Sequence, residues 1–344
     1  MNVLIHADGG PGVGLGHVAR CFALAAAVSR TGHRAVVAVD PAHGLAECIQ
    51  RQGLEVIPSG SAALAVRDAA RAIAADCLVV DSYQWSGDDF RLARGEWSLV
   101  AFDDQAVREL PVDVVINGAP GAAKLKYRTA SDTHLLLGPA YQVVRDDFRA
   151  TPARGKAGKV RQVIALVGGY DPLGLLPMLA DILQEAAERL VTPFKSELIC
   201  GPFMALPDLH GMSYVEAVRN PPDLEKRMIR ADMAISASGQ TLYELARCGT
   251  PTIAFCSGPD QVHNLFALAA SGVVMSTGDA TELEWSREIR AAIVFLLGNS
   301  AKRTAMSQAG QSLIDGLGAD RLVEVITLLG TSGLSPEMRG GIRN

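Results

Sequence analysis

The sequence lacks the features that mark metal-binding, disulfide-rich, membrane-spanning or nucleic-acid-binding proteins. Its six cysteines are scattered over 344 residues, with no CxxC pair and no matching histidine cluster, which argues against a zinc site and a disulfide framework. No apolar stretch approaches the ~18 residues that a membrane span needs. The net charge of −5 argues against nucleic acid as a partner, because such a surface usually carries a basic patch.

The first residues, "MNVLIHADGG", also lack the basic region and the long apolar run of a signal peptide. We therefore expect a cytoplasmic protein without stable membrane insertion. Apolar residues make up 49% of the chain and charged residues 20%, so the sequence can bury a large core. At roughly 100–200 residues per domain, the length predicts two domains.

The first half of the chain alternates short apolar segments with helical ones. The strand-like segments are "NVLIHA", "HRAVVAVD", "LEVIPSG", "DCLVVDSY", "SLVAFDD" and "VDVVINGA", and the helical ones include "GHVARCFALAAAVSRTG" and "GLAECIQRQG". This alternation predicts a parallel sheet with helices on both faces. The pattern restarts after "ATPARGKAGK", which has the polar composition of an interdomain linker.

The predicted fold class is therefore α/β, with two Rossmann-like parallel-sheet domains. We place the first domain at residues 1–149, the linker at 150–159, the second domain at 160–330 and a tail at 331–344. Ligands of open parallel sheets bind beyond the carboxyl ends of the strands. The site is expected in the cleft across which two such domains face each other.

Three glycine-rich turns are candidates for ligand contacts, and the first is "DGGPGVGLGH" at residues 8–17. A dinucleotide-binding fingerprint does not fit it, because the glycines alternate and no GxGxxG passes through them. His17 follows this loop at the start of a helix, where an imidazole offers a base near neutral pH. A partly buried histidine without a function is an equally good interpretation of that position.

The second turn, "VGGYDPLGL" at residues 167–175, lies between a strand and a helix. The N–H groups at a helix start can bind an anion, although an ordinary turn has the same pattern.

The third turn lies within "ADMAISASGQTLYELARCGTPTIAF", residues 231–255. Ser238, Gly239 and Thr241 place donors suited to a diphosphate at a helix start, and Glu244 lies one turn further, where it can accept from ribose hydroxyls. The alternative is a capping box, in which Thr241 caps the helix and Glu244 reaches back. Further on, Gln261 and Asn264 share one face of a predicted helix.

Together, "GLGHVARC", "VGGYDP", "SASGQTLYELARCGTP" and "IDGLGADR" resemble the UDP-sugar hydrolases of the pseudaminic-acid pathway and the related spore-coat-type glycosyltransferases. The resemblance extends from residue 3 to about residue 325. It implies a GT-B fold in which the first domain holds the acceptor and the second holds a UDP-sugar, with neither metal nor other cofactor. The implied catalytic base is His17, which matches the histidine that acts on water in the hydrolases.

The resemblance also assigns the remaining candidate residues. The nucleotide-sugar would be contacted by Gly14, Gly16, Gly168, Gly169, Ser238, Gly239, Thr241, Glu244, Gln261 and Asn264. The residues on the acceptor or sugar side would be Asp8, Arg20, Tyr83, Asp103 and Asn117.

Several positions differ from the hydrolases, which tend to have Asp-Ser-Ser where this chain has Asp8-Gly9-Gly10, and Arg in place of His6. These differences lie around the acceptor side and the sugar. Because "DGG" and "GQTLYELA" are more similar to the transferase-type relatives, they favour an acceptor other than water. The sequence therefore predicts an inverting glycosyltransferase that uses a UDP-sugar and a small-molecule or glycan acceptor. A UDP-sugar hydrolase of a nonulosonic-acid pathway is the close alternative, and a nonhydrolytic sugar-nucleotide-binding protein is a third.

Overall fold

The computed structural model describes residues 1–8, 16–40, 53–202 and 204–331. The chain divides into two compact units, one formed by Met1–Asp146 with Gly316–Asn344 and the other by Asp147–Asp315. Each unit contains its own parallel sheet. The predicted fold class of two parallel-sheet α/β domains is therefore confirmed.

The described strands of the first unit are β1 (Asn2–Ala7), β2 (Arg34–Val39), β3 (Glu55–Pro58), β4 (Cys77–Asp81), β5 (Ser98–Phe102), β6 (Glu109–Leu110), β7 (Val114–Asn117), β8 (Arg128–Thr129) and β9 (His134–Leu137). Seven of them form one sheet in the order β3-β2-β1-β4-β5-β7-β9, all parallel. The other two, β6 and β8, form a separate short pair.

Helices α1 (Gly16–Arg30), α2 (Ala63–Ala72) and α3 (Gly87–Ala93) belong to this first unit. Alternate residues of the central strands enter different cores, because successive side chains of a strand point to opposite faces. Val3 and Ile5 pack with α1, whereas Leu4 packs in the core that contains α2 and α3. The helix expected at "GLAECIQRQG" lies mostly outside the described residues, as do Gly14 and the tail beyond residue 331.

The described strands of the second unit are β10 (Gln162–Leu166), β11 (Lys195–Cys200), β12 (Val215–Arg219), β13 (Met233–Ala237), β14 (Thr252–Cys256) and β15 (Val274–Asp279). They form one parallel sheet in the order β12-β11-β10-β13-β14-β15. The helices of this unit are α4 (Leu175–Glu188), α5 (Leu224–Arg230), α6 (Thr241–Arg247), α7 (Val262–Ala270), α8 (Trp285–Gly298) and α9 (Ser300–Leu313). Throughout the described ranges, no helix is both long and apolar enough to cross a membrane.

The last helix, α10 (Gly318–Thr331), returns to the first unit. Leu322, Val323 and Ile326 are buried in the core that contains α1, and Arg30 of α1 forms an ion pair with Asp320. The expected second domain, residues 160–330, therefore extends too far, because the second unit ends at Asp315. Sequence periodicity predicts this helix but does not reveal the sheet on which it packs.

The segment at residues 150–159, expected as a linker, packs on the second unit. Arg154 donates through Nη1 to the carbonyl of Gly249 and to Oγ1 of Thr250, at 3.2 and 2.7 Å. Through Nη2 it donates to the carbonyls of Ile229 and Ala231. Burial lowers the pKa of Arg154 from its ordinary value. The guanidinium thus ties this segment to the turns that begin β13 and β14.

We expect Arg154→Ala to lower the free energy of unfolding of the second unit by about 2–3 kcal/mol, because hydrogen bonds to a charged group are lost and buried carbonyls are left without a donor. Lys156→Ala is the matched control, since Lys156 is an exposed cation of the same segment. Urea denaturation measures both variants. Equal midpoints for the two variants would mean that the segment is a linker without a structural role.

Candidate functional site

The carboxyl ends of β1 and β4 define the candidate site of the first unit. Strand β1 has β2 on one side and β4 on the other, so the direction in which successive strands are added to the sheet reverses between β1 and β4. Open parallel sheets bind ligands at such a switch point. Asp8 follows β1, and its N–H donates to the carbonyl of Asp81 at 3.0 Å. Asp8 is 6% exposed and accepts a hydrogen bond from the hydroxyl of Ser82.

The central group of this site is the carboxylate of Asp81, the fully buried last residue of β4. Its Oδ1 lies 2.6 Å from Nδ1 of His17 and 2.7 Å from Nη2 of Arg20, and its Oδ2 lies 2.5 Å from Nε of Arg20. His17 and Arg20 reach the same carboxylate because residues three apart lie on one face of a helix. Burial raises the pKa of Asp81, but Arg20 and His17 together hold it well below its ordinary value.

This carboxylate fixes the orientation of the His17 imidazole. An ionised carboxylate only accepts hydrogen bonds, so Nδ1 of His17 carries the proton that is donated to Asp81, and in the neutral form of the ring Nε2 has the lone pair. No described residue hydrogen-bonds to Nε2. His17 is only 11% exposed at its side chain, so its packing also restricts the ring. An imidazole held in this way is able to accept a proton through Nε2.

Tyr83 and Asp104 complete the surroundings of His17. The Tyr83 ring meets the His17 ring edge-on, with 4.3 Å between their centroids. Oδ2 of Asp104 accepts from the Tyr83 hydroxyl and from Nη1 of Arg20, both at 2.8 Å. Burial and the Asp104 carboxylate raise the pKa of Tyr83, so this phenol stays neutral and acts as a donor. Tyr83 is 39% exposed and can therefore also meet a ligand.

Asp103 and Asn117 lie at the carboxyl ends of the neighbouring strands β5 and β7, as their sequence positions imply. Their side chains form hydrogen bonds with residues of the loops that follow these strands. Asp103 accepts from the N–H of Ala106 at 2.7 Å and from Nε of Arg108 at 3.1 Å. Burial raises the pKa of Asp103 despite the nearby Arg108. The Asn117 amide donates to the Tyr127 hydroxyl and accepts from the N–H of Ala119. Both residues stay candidates for the acceptor side, with these hydrogen bonds as their observed role.

Sequence reasoning missed Asp81, Ser82 and Asp104. The signal was present, because "VVDSY" and "AFDD" each place polar residues directly after a buried strand. Their importance depends on the order of the strands, since Asp81 meets His17 only because β4 pairs with β1.

In the second unit, Ser238 follows β13 and begins the turn into α6. Its N–H donates to Oε1 of Gln261 at 3.2 Å, and its hydroxyl donates to the carbonyl of Phe255 at 2.8 Å. Nδ2 of Asn264 donates to the Ser238 carbonyl at 2.7 Å. Gln261 and Asn264 therefore support this turn from within the protein. Their expected approach to the phosphates or the sugar stays a prediction.

Thr241 is the first residue of α6, and Gln240 occupies the cap position without a side-chain cap hydrogen bond. The alternative capping box, in which Thr241 caps the helix, is therefore wrong. Glu244 lies one turn on and is 3% exposed. A Cβ added to Gly239 would meet no atom within 4 Å, so open space lies in front of this backbone. The backbone of the turn that was expected to hold a diphosphate is thus open at Gly239.

The turn after β10 is less suited to an anion. Oδ1 and Oδ2 of Asp171 accept from the N–H groups of Leu175 and Leu176, at 2.9 and 3.0 Å. A carboxylate of the protein therefore already occupies the start of α4, so the anion site expected at this helix is filled. Contacts of Gly168 and Gly169 with a nucleotide, through their own backbone groups, stay a prediction, as does the role of Gly16 at the start of α1.

The sequence has distant relatives. The spore coat polysaccharide biosynthesis protein SpsG of Bacillus subtilis is 21% identical over 233 residues, which are 66% of this chain and 68% of that protein. No family model matches the sequence.

Solved structures identify the fold. MurG of Acinetobacter baumannii has a TM-score of 0.65 and is 16% identical, over 95% of this chain and 99% of that one. The spinosyn rhamnosyltransferase SpnG, solved with thymidine diphosphate, has a TM-score of 0.63 and is 17% identical, over 94% and 100%. These neighbours are GT-B glycosyltransferases, and the chain has the GT-B fold. The predicted GT-B fold is thereby confirmed, and the distant similarity to SpsG agrees with the resemblance to spore-coat-type proteins.

We expect Asp81→Asn to destabilise the protein at pH 7 by about 3–5 kcal/mol, the usual cost of breaking a buried ion pair by removing one partner. Because the folded pKa of Asp81 lies below the unfolded value of about 3.9, its contribution is complete above about pH 4 and is lost as the pH falls toward the folded value. The stability gap to the wild type should therefore narrow at pH 3.

Thermal denaturation at pH 7 and pH 3 measures this gap, with Asp132→Asn as the control because Asp132 is exposed. If the stability difference between the wild type and Asp81→Asn were the same at both pH values, ionisation of the Asp81 carboxyl would not contribute to the stability of the fold.

Proposed function

We propose that the protein is an inverting glycosyltransferase that moves a sugar from a UDP-sugar to a small-molecule or glycan acceptor. The observation that carries the proposal is the Nδ1–Asp81 hydrogen bond of His17, which leaves Nε2 as a base at the carboxyl end of a GT-B sheet. The GT-B fold supports it, since neighbours with this fold are glycosyltransferases. We place the protein in the cytoplasm, where nucleotide sugars are available.

In the proposed reaction, Nε2 of His17 accepts the proton of an acceptor hydroxyl as its oxygen attacks the anomeric carbon. The new carbon–oxygen bond forms while the bond from that carbon to the diphosphate breaks, and UDP leaves with the electron pair. One displacement inverts the configuration. Asp81 stays ionised and stabilises the imidazolium, the role that a buried carboxylate has in catalytic triads. Arg20 holds the carboxylate in place.

We propose that the second unit binds UDP at the turn from Ser238 to Glu244. The space in front of Gly239 supports this location, and the thymidine diphosphate complex of SpnG supports a pyrimidine nucleoside diphosphate as the ligand class. Backbone N–H groups and the Thr241 hydroxyl would stabilise the charge of the leaving diphosphate. The proposed reaction uses these groups rather than a metal or another cofactor.

The alternative is a UDP-sugar hydrolase of a nonulosonic-acid pathway, because Nε2 of His17 could equally take a proton from water. The structure of SpnG with spinosyn aglycone shows that one neighbour takes an organic acceptor, which favours transfer. The two reactions differ in one measurement. UDP release from the correct donor depends on a second substrate for a transferase and not for a hydrolase.

We expect UDP to bind more tightly than GDP or CMP, and Glu244→Ala to weaken UDP binding by about 1–3 kcal/mol, the range for lost hydrogen bonds to a charged group. Isothermal titration calorimetry measures both effects. Glu284→Ala is the matched control, because its side chain is 72% exposed in the same unit. Unchanged UDP affinity in Glu244→Ala would remove this carboxylate from the nucleotide site.

We expect His17→Ala to lower turnover by about 10²–10⁴-fold, the usual contribution of a general base, while the donor dissociation constant stays near the wild-type value. Steady-state kinetics and calorimetry on the same variant provide the two numbers. His210→Ala is the control, since His210 is exposed in the other unit. Turnover within threefold of the wild type would exclude His17 as the base, and weakened donor binding with intact turnover would make it a ligand contact.

A further inference from the structure

The hydroxyl of Tyr127 has a proton for which the described residues offer no acceptor. Asn117, the last residue of β7, donates to the Tyr127 oxygen through Nδ2 at 2.8 Å, while its Oδ1 accepts from the N–H of Ala119 at 2.9 Å. A backbone N–H only donates, so this second contact fixes which end of the amide faces the phenol. The Tyr127 oxygen therefore accepts, and its own O–H is left to donate elsewhere.

Oδ1 of Asp104 is an unused acceptor at the next strand end. Asp104 lies just beyond β5, and its side chain is 28% exposed. Its Oδ2 accepts from the Tyr83 hydroxyl and from Nη1 of Arg20, whereas no described residue hydrogen-bonds to Oδ1. An ionised carboxylate oxygen only accepts. Tyr127 and Asp104 thus offer one donor and one acceptor on the acceptor side of the candidate site.

The two groups lie near each other. Burial and the carboxylates of Asp103 and Asp104 raise the pKa of Tyr127, against the opposing effect of the Asn117 hydrogen bond. The phenol therefore stays neutral and keeps the proton that it can donate. No hydrogen bond joins the described side chains of Tyr127 and Asp104, so a group that both donates and accepts is needed to connect them. A hydroxyl has this capacity.

The charged groups at these strand ends favour an uncharged ligand. Asp103 receives hydrogen bonds at both of its oxygens. Arg108 donates to Asp103 and to two backbone carbonyls, and Arg20 donates to the carboxylates of Asp81 and Asp104. Both guanidiniums are thus committed to acceptors of the protein, while the carboxylates would repel an anion.

We propose that Tyr127 and Asp104 form an acceptor-recognition pair, which binds an uncharged hydroxyl group of the acceptor. This hydroxyl donates to Oδ1 of Asp104 and accepts from the Tyr127 hydroxyl. The inference rests on the proposed transfer reaction and narrows its acceptor to a molecule that carries a second hydroxyl besides the attacked one.

The positions of the strands give the scale of this acceptor. Asp81 and its partner His17 mark the end of β4, Asn117 marks the end of β7, and β5 lies between these two strands. At about 4.8 Å between neighbouring strands, the ends of β4 and β7 lie about 10 Å apart. An acceptor that contacts both His17 and the pair therefore has an extended skeleton, which water does not provide.

Carbon NMR on protein labelled with ¹³C at Cζ of tyrosine tests the inference, because this carbon bears the hydroxyl. The Tyr127 signal is identified by its absence from a Tyr127→Phe variant. Two neutral probes, glycerol and methyl α-glucopyranoside, should shift it in a saturable way, while the signal of Tyr214 in the other unit stays in place. Methyl α-glucuronide, which carries a carboxylate, should bind more weakly, although Lys124 and Lys126 are exposed in the segment before Tyr127.

Variants of the pair give a second readout, the affinity for methyl α-glucopyranoside measured by ligand-observed NMR. Asp104→Asn should weaken binding by about 10–100-fold, because a hydrogen bond to a charged group is lost, and Tyr127→Phe by about 2–10-fold, because a neutral one is lost. Asp132→Asn and Tyr214→Phe are the matched controls, since Asp132 is exposed and Tyr214 belongs to the other unit. The remaining tyrosine signals report whether each variant is folded.

A Tyr127 signal that neither neutral probe shifts would overturn the inference. Tighter binding of methyl α-glucuronide than of methyl α-glucopyranoside would overturn the uncharged class of ligand, and unchanged affinity in either variant would overturn the pair. None of these measurements uses a UDP-sugar, so their outcome is separate from the tests of His17 and Glu244 that decide the proposed function.

Discussion

The geometry of the first unit's site depends on one buried carboxylate. Asp81 ends β4 without any contact with solvent, and its two oxygens receive three hydrogen bonds from His17 and Arg20. Such a charge is stable inside a protein only when its partners are fixed in place. The same contacts therefore set the rotation of α1 against the sheet, the tautomer of His17 and the direction of the Arg20 guanidinium.

Arg20 extends this order to the next strand. Its third nitrogen donates to Asp104, which also accepts from Tyr83, and its guanidinium lies 4.6 Å from the centre of the Phe102 ring. Asp81, Arg20 and Asp104 alternate in charge, so both carboxylates stabilise the guanidinium between them. A buried network of this kind adds little net stability compared with an apolar core, and its value lies in the single geometry that it permits.

Strand composition and alternation were enough to predict the two parallel sheets, and His17 could be singled out because it starts a helix after a glycine loop. The partner of His17 could not be predicted, since Asp81 is 64 residues away and becomes its neighbour only through the pairing of β4 with β1.

The segment at residues 150–159 was expected as a linker because its composition is polar. Composition does not reveal that Arg154 donates hydrogen bonds to backbone carbonyls of the second unit. The capping-box interpretation of Thr241 was wrong because a cap depends on the residue at which the helix begins, and the sequence did not fix that residue.

The return of α10 to the first unit has a consequence for how the protein folds during synthesis. The second unit is continuous in sequence, from Asp147 to Asp315, and is inserted into a first unit made of two separate stretches. The ribosome therefore completes the second unit before the first one has all of its core. Until α10 leaves the exit tunnel, the surface of α1 that packs against Leu322 and Ile326 stays uncovered. The candidate base lies on that same helix, so the unit that carries it is the last of the two to complete its core.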